Sequence, residues 1–223
     1  MVAGPITLPT GLNPGGQYRL PFVTSGERQS DTSDIAVYNT YVSDAANAVP
    51  ELFSLGTTWI AIASTSDVNA RDNTDTLPSF AGGVLGFPIY RLDGIKIVDS
   101  YDDLWDGTLD AALQVDEQGT TLTPALGSTI VWTGSRVESI LEHGGLGPPD
   151  PPGVGDRNGS FIAADSNWTN FNTVASPPHI ARFSGISGVL KAPAVPEPGS
   201  LLLLSILTVV LLGYGVVRKR KRT

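Results

Sequence analysis

The sequence predicts an α+β fold: a single compact domain with mixed or antiparallel strands and one main helix, followed by a linker and one C-terminal transmembrane helix. Three observations carry this. Residues 34–49 place apolar side chains at helical spacing. Several short runs rich in β-branched and aromatic residues alternate between clusters of Gly, Pro, Asn and Asp. Finally, residues 195–223 join a Pro-rich hexapeptide, an uncharged apolar stretch and a basic tail. The organisation expected is an extended N-terminal segment (1–19), an extracytoplasmic domain (20–190), a linker (191–200), a membrane span (201–217) and a basic cytoplasmic tail (218–223).

Residues 1–19 are rich in Gly and Pro and read as extended and poorly fixed. Residues 18–24 alternate as a first strand, and Pro21, which lacks an N–H donor, favours an edge position. Ser30, Asp31, Thr32 and Ser33 are N-cap candidates for the main helix. Ile35, Tyr38, Tyr41, Val42, Ala45, Ala46 and Val49 form its apolar stripe, and Pro50 lies just beyond its end. Residues 57–64 read as a strand, and 69–79 as a polar loop. Residues 88–92 and 95–98 flank Asp93-Gly94, a hairpin signal because Gly accepts positive φ. A helical turn is expected within 101–113, a strand at 130–134, and a Gly/Pro loop over 141–159. Strands at 168–174 and 183–190 close the domain.

Composition limits the chemistry. The chain has no cysteine, which excludes disulfides, thiolate metal sites and a thiol nucleophile. Residues 1–190 carry 21 acidic and 8 basic side chains, a net of −13, so the body repels nucleic acid and anionic lipid. Gly and Pro make up 42 of 223 residues, which suits a loop-rich and strand-rich domain. Met1 to Pro5 shows neither a basic n-region nor an apolar h-region. The favoured expectation is therefore a leader encoded upstream, with Pro5 to Gly16 as the start of a mature domain; the alternative is insertion directed by the terminal helix alone.

The C-terminal device is the most specific feature. Residues 201–217 carry no charge and are dominated by Leu, Val and Ile. As a helix they cover about 25 Å, near the lower limit for a hydrocarbon core of about 30 Å. A buried core helix followed by a solvated charge run is the plainer alternative, but core helices keep a polar face and this stretch has none. Arg218, Lys219, Arg220, Lys221 and Arg222 keep the tail cytoplasmic and so orient the body outside. Pro196 and Pro198 hold Val195, Pro196, Glu197 and Pro198 extended, a shape that a protease groove can read.

These three parts, in this order, resemble the PEP-CTERM sorting signal of Gram-negative-type, exopolysaccharide-producing bacteria. The resemblance implies a processing partner, a membrane-embedded exosortase that cuts at or near Pro196, Glu197 and Pro198. It implies an inner-membrane precursor with its body outside, later released to the envelope, cell surface or extracellular matrix, with exopolysaccharide as a further partner.

A second resemblance covers residues 20–190. It rests on Phe22-Val23-Thr24-Ser25, Thr58-Trp59-Ile60-Ala61, Asn69-Ala70-Arg71-Asp72, residues 88–94, Asp103-Leu104-Trp105-Asp106-Gly107, Asp116-Glu117 and Val131-Trp132-Thr133-Gly134. This order is similar to bacterial endostatin-like domains of the C-type lectin-like fold, and it implies binding in place of catalysis.

Candidate chemistry in the body is sparse. Asp99, Asp102, Asp103, Asp106, Asp110, Asp116 and Glu117 crowd one stretch. Ca²⁺ takes several oxygen ligands, which makes Asp102, Asp103 and Asp106 a candidate site, although the spacing is not that of an EF-hand. The competing reading is a solvated face whose Asp residues cap turns around Gly107 and Gly119. Arg71, flanked by Asp72 and other acids, reads as an internal tie, reaching to 103–106 if buried. Trp59 and Trp132 lie in strand patterns and are assigned to the core, whereas Trp105 and Trp168 stand among polar residues as candidate glycan contacts. His143 and His179 are the only histidines, both beside Gly or Pro. No nucleophile elbow or phosphate loop is present. The expectation is a non-enzymatic exported protein without a cofactor, calcium excepted. A carbohydrate- or calcium-binding module is the alternative, and a glycan-acting enzyme ranks behind both.

Overall fold

The computed structural model describes residues 4–77, 86–124, 129–135, 145–147, 156–170, 172–174 and 180–194. The strands are β1 (Gln17–Tyr18), β2 (Pro21–Val23), β3 (Arg28–Gln29), β4 (Trp59–Ala61), β5 (Ile89–Tyr90), β6 (Lys96–Val98), β7 (Ile130–Trp132), β8 (Asp156–Ser160), β9 (Asn172–Val174), β10 (Ile180–Ser187) and β11 (Leu190–Lys191). The helices are α1 (Ile35–Asn47), α2 (Pro50–Phe53), α3 (Ala70–Asn73) and α4 (Tyr101–Leu104), and Ser166–Trp168 forms a 3₁₀ turn. The class is mixed α+β with one main helix, as the patterning predicts.

Strand β10 is the hub. It pairs antiparallel with β2, β3 and β4 and parallel with β7, and the order continues through β8 to β9. Pro21 opens β2 at the end of this order, where a residue without an N–H costs no ladder bond. Side chains alternate across the sheet and divide the core in two. Phe22, Ala61, Trp132 and Phe183 pack on one face with Tyr38, Val42 and Ala46 of α1. Their chain neighbours Val23, Ile62 and Val131, with Ile186, pack on the other with Ile97, Leu104, Trp105 and Trp168. Burial on both faces explains why these strands read as nearly continuous apolar runs.

Helix α1 is capped by Asp34, whose Oδ1 accepts from Ala36 N at 3.0 Å, one residue beyond the expected cap candidates. Tyr38 stacks on Phe183 with centroids 4.9 Å apart, and Tyr41 meets the same ring edge-on at 5.8 Å. The helix lies so close to β10 that only glycine fits at the crossing: a Cβ on Gly185 would stand 2.3 Å from Val42 Cγ1. Pro50 takes the first turn of α2 and so starts a helix as well as following one.

The Asp93-Gly94 hairpin forms between β5 and β6, with Gly94 at φ 84°. Three expectations change. Residues 156–160, placed at the end of a loop, form β8, because a sheet position between β7 and β9 satisfies their backbone whatever their composition. Trp168 sits in the 3₁₀ turn, not in a strand. The N-terminal segment, where described, is fixed: Ile6 N donates to Leu92 O at 2.6 Å and Tyr18 Oη to Thr7 O at 2.7 Å.

Candidate functional site

The described chain ends in a clasp. Strand β1 pairs antiparallel with β11, Gln17 opposite Lys191 and Tyr18 opposite Leu190. One step further, Ala192 N donates to Gly16 O at 2.8 Å and Gly15 N donates to Ala192 O at 3.1 Å. Leu190 and Ala192 are buried while Lys191, Pro193 and Ala194 are exposed. The body therefore extends to Ala192, two residues into the expected linker. The alternation of Leu190, Lys191 and Ala192 after β10 is the sequence signal that marks this strand. Gly15, at φ 76°, takes a left-handed conformation that side chains rarely adopt.

Pro193 and Ala194 lead directly toward Val195, Pro196, Glu197 and Pro198. Those four residues, the expected span 201–217, and Arg218, Lys219, Arg220, Lys221 and Arg222 lie outside the described residues. Among the described residues, no helix is long and apolar enough to cross a membrane.

The acidic stretch resolves into turn chemistry. Asp103 Oδ2 accepts from Asp99 N at 2.8 Å, and Asp106 Oδ1 accepts from Thr108 N at 2.8 Å and Thr108 Oγ1 at 2.9 Å. Asp116 Oδ1 closes its own turn on Gln118 N and Thr120 N, at 3.0 and 2.8 Å. Lys96 Nζ binds Asp99 at 2.6 Å and stands 3.9 Å from Asp110; the hydrogen bond to Asp99 raises the Lys96 pKa. Glu117 is buried and accepts from Ser25 N at 2.8 Å and from Ser25 Oγ. Gly107 and Gly119 adopt φ of 100° and 79°, as turns require. Among the described residues, no three acidic or histidine side chains gather to hold a metal. Asp103 and Asp106, two of the three candidate calcium ligands, are thus engaged by short-range donors as turn caps.

The two candidate glycan-stacking residues lie in the core. Trp105 and Trp168 are 5% and 2% exposed, and their rings pack 5.5 Å apart at 34° in the second core cluster. Trp105 Nε1 donates to Thr76 O and Thr76 Oγ1, both at 3.0 Å. Polar neighbours in sequence suggested exposure, but the indole faces the sheet. Trp59 and Trp132 are core residues, as their strand pattern implies. The tie across the 69–76 loop is thus made from Trp105, and also from Arg19, whose Nη1 donates to Thr74 O at 2.7 Å. Arg71 is only half-buried. His143 and His179 lie outside the described residues.

A cleft of about 420 Å³ runs between Pro5, the end of α1 and Glu117. Its two carboxylates are Glu51, on the exposed face of α2, and Glu117, which is committed to Ser25. No curated protein matches the chain. Residues 194–221, beginning two residues after the clasp, match the family model of the PEP-CTERM protein-sorting motif, the signal through which an exosortase sorts exported proteins.

Proposed function

We propose that this chain is a non-enzymatic protein of the cell surface or extracellular matrix, delivered as a membrane-anchored precursor and released by exosortase. Residues 201–217 anchor the precursor, the five cations from Arg218 to Arg222 hold the tail inside, and Pro196 and Glu197 present the cleavage region. The observation that carries this reading is the sorting-motif match over 194–221, directly after a folded body. The net charge of −13 over residues 1–190 suits a soluble matrix component once the anchor is gone.

Replacement of Pro196 and Glu197 by Ala tests the proposal. The expected result on an immunoblot of fractionated cells is a full-length, membrane-bound band in place of the shorter released form. Processing at the normal rate would show that the motif does not direct sorting. The burial of Trp105 and Trp168 and the turn-capping bonds of Asp103 and Asp106 favour this reading over a sugar- or calcium-binding module.

A further inference from the structure

Only Pro193 and Ala194 separate the clasp from the sorting motif. Ala192 is the last residue hydrogen-bonded to the body, and Val195 follows three residues later. Three extended residues span at most about 10 Å. A body of this length has a radius of gyration of about 16 Å. A membrane-embedded enzyme that must close around several extended residues therefore meets the globule itself while the clasp is shut.

The clasp is the place at which the exit can lengthen. It is a separate sheet of two two-residue strands, outside the β10-centred sheet. Pairs that small are marginal alone, so the clasp is held by the burial of Tyr18, Leu190 and Ala192 in the core, and its local opening costs that burial without unfolding the main sheet. Opening stops at Gly188. Its N–H donates to Thr58 O at 2.8 Å, and Ser187 N donates to Leu20 O at 2.9 Å. Strands β2 and β4 hold β10 up to Ser187. Release of residues 189–192 raises the reach from Gly188 to Val195 to about 23 Å.

We propose that the β1–β11 clasp positions the sorting motif for processing: closed, it withholds Val195 to Pro198 from the enzyme, and open, it delivers them. This rests on the exosortase reading above. Gly15, Gly16, Tyr18, Leu190 and Ala192 are the positioning residues. Processing is then gated by local opening of a strand pair, while the rest of the fold stays intact.

The register supplies the test. The Ala192–Gly16 bond makes Gln17 and Lys191 a non-hydrogen-bonded pair, the closer of the two antiparallel types. Both side chains are exposed and the native chain has no cysteine. A Gln17→Cys/Lys191→Cys variant can therefore form one disulfide in the oxidising compartment. In cells, the oxidised full-length variant is expected to be processed at least about tenfold more slowly, because cross-linking suppresses opening. Added reductant restores the rate. A Gly-Ser spacer of about eight residues between Ala194 and Val195, worth roughly 15 Å of reach, restores it with the disulfide intact.

Normal processing of the oxidised variant overturns the proposal. So does failure of the spacer to rescue it, which would mean that the lock acts on folding or export. The Pro196→Ala/Glu197→Ala variant, run alongside, separates the two readings. If it too is processed normally, the sorting reading itself fails; if it is blocked while the locked variant is cut, only the clasp proposal fails.

Discussion

Trp105→Ala distinguishes a buried tryptophan from an exposed sugar platform by its effect on stability. In the structure, Trp105 is 5% exposed, packs 5.5 Å from Trp168 and donates through Nε1 to Thr76 O and Oγ1. Truncation of a buried Trp costs about 3–5 kcal/mol, including the cavity left behind. Thr76 O also loses its donor, whereas Thr76 Oγ1 keeps Thr74 Oγ1 at 2.7 Å. A total of about 4 kcal/mol in a domain of this size corresponds to a fall in Tm of about 10 °C. Trp105→Phe keeps a ring against Trp168 and removes only the donor, so a loss of about 1–2 kcal/mol is expected. Scanning calorimetry on the released body gives both values. An exposed platform residue would change stability by less than about 0.5 kcal/mol. An unchanged Tm for Trp105→Ala would refute the burial argument and reopen the glycan reading.

Two further outcomes follow from the geometry. Gly185→Ala inserts a methyl group 2.3 Å from Val42 Cγ1 and 3.0 Å from the Phe22 ring, and is expected to lower stability by about 1–3 kcal/mol. Val42→Ala in the same chain should recover part of that loss in urea unfolding, and an additive loss would show that α1 does not cross β10 at this point. Burial raises the Tyr18 phenol above its usual 10.0, so the folded state holds this proton more tightly than the unfolded chain does. Its contribution is complete below pH 10.0 and is lost as pH rises through the folded value. The denaturation midpoint should thus fall more steeply at alkaline pH in the native chain than in Tyr18→Phe, and parallel curves would contradict this.

The sequence alone determined the features that depend on local chemistry. Helical spacing and Pro50 located α1, Asp93-Gly94 located the hairpin, and alternation placed Trp59 and Trp132 in the core. The sorting motif was legible for the same reason: its parts are contiguous, and lipid solvation and proline geometry act on each part without help from the fold. Partners distant in sequence decided the strand pairing and the burial of the tryptophans. Strand β8 exists because β7 and β9 flank it, and Trp105 is buried because Thr76 and Trp168 come to meet it. Carboxylates that resembled a metal site were claimed by nearby backbone donors once the turns had formed. The clasp joins residues 15–18 to residues 190–192, so the extension of the body to Ala192 was set by tertiary pairing alone.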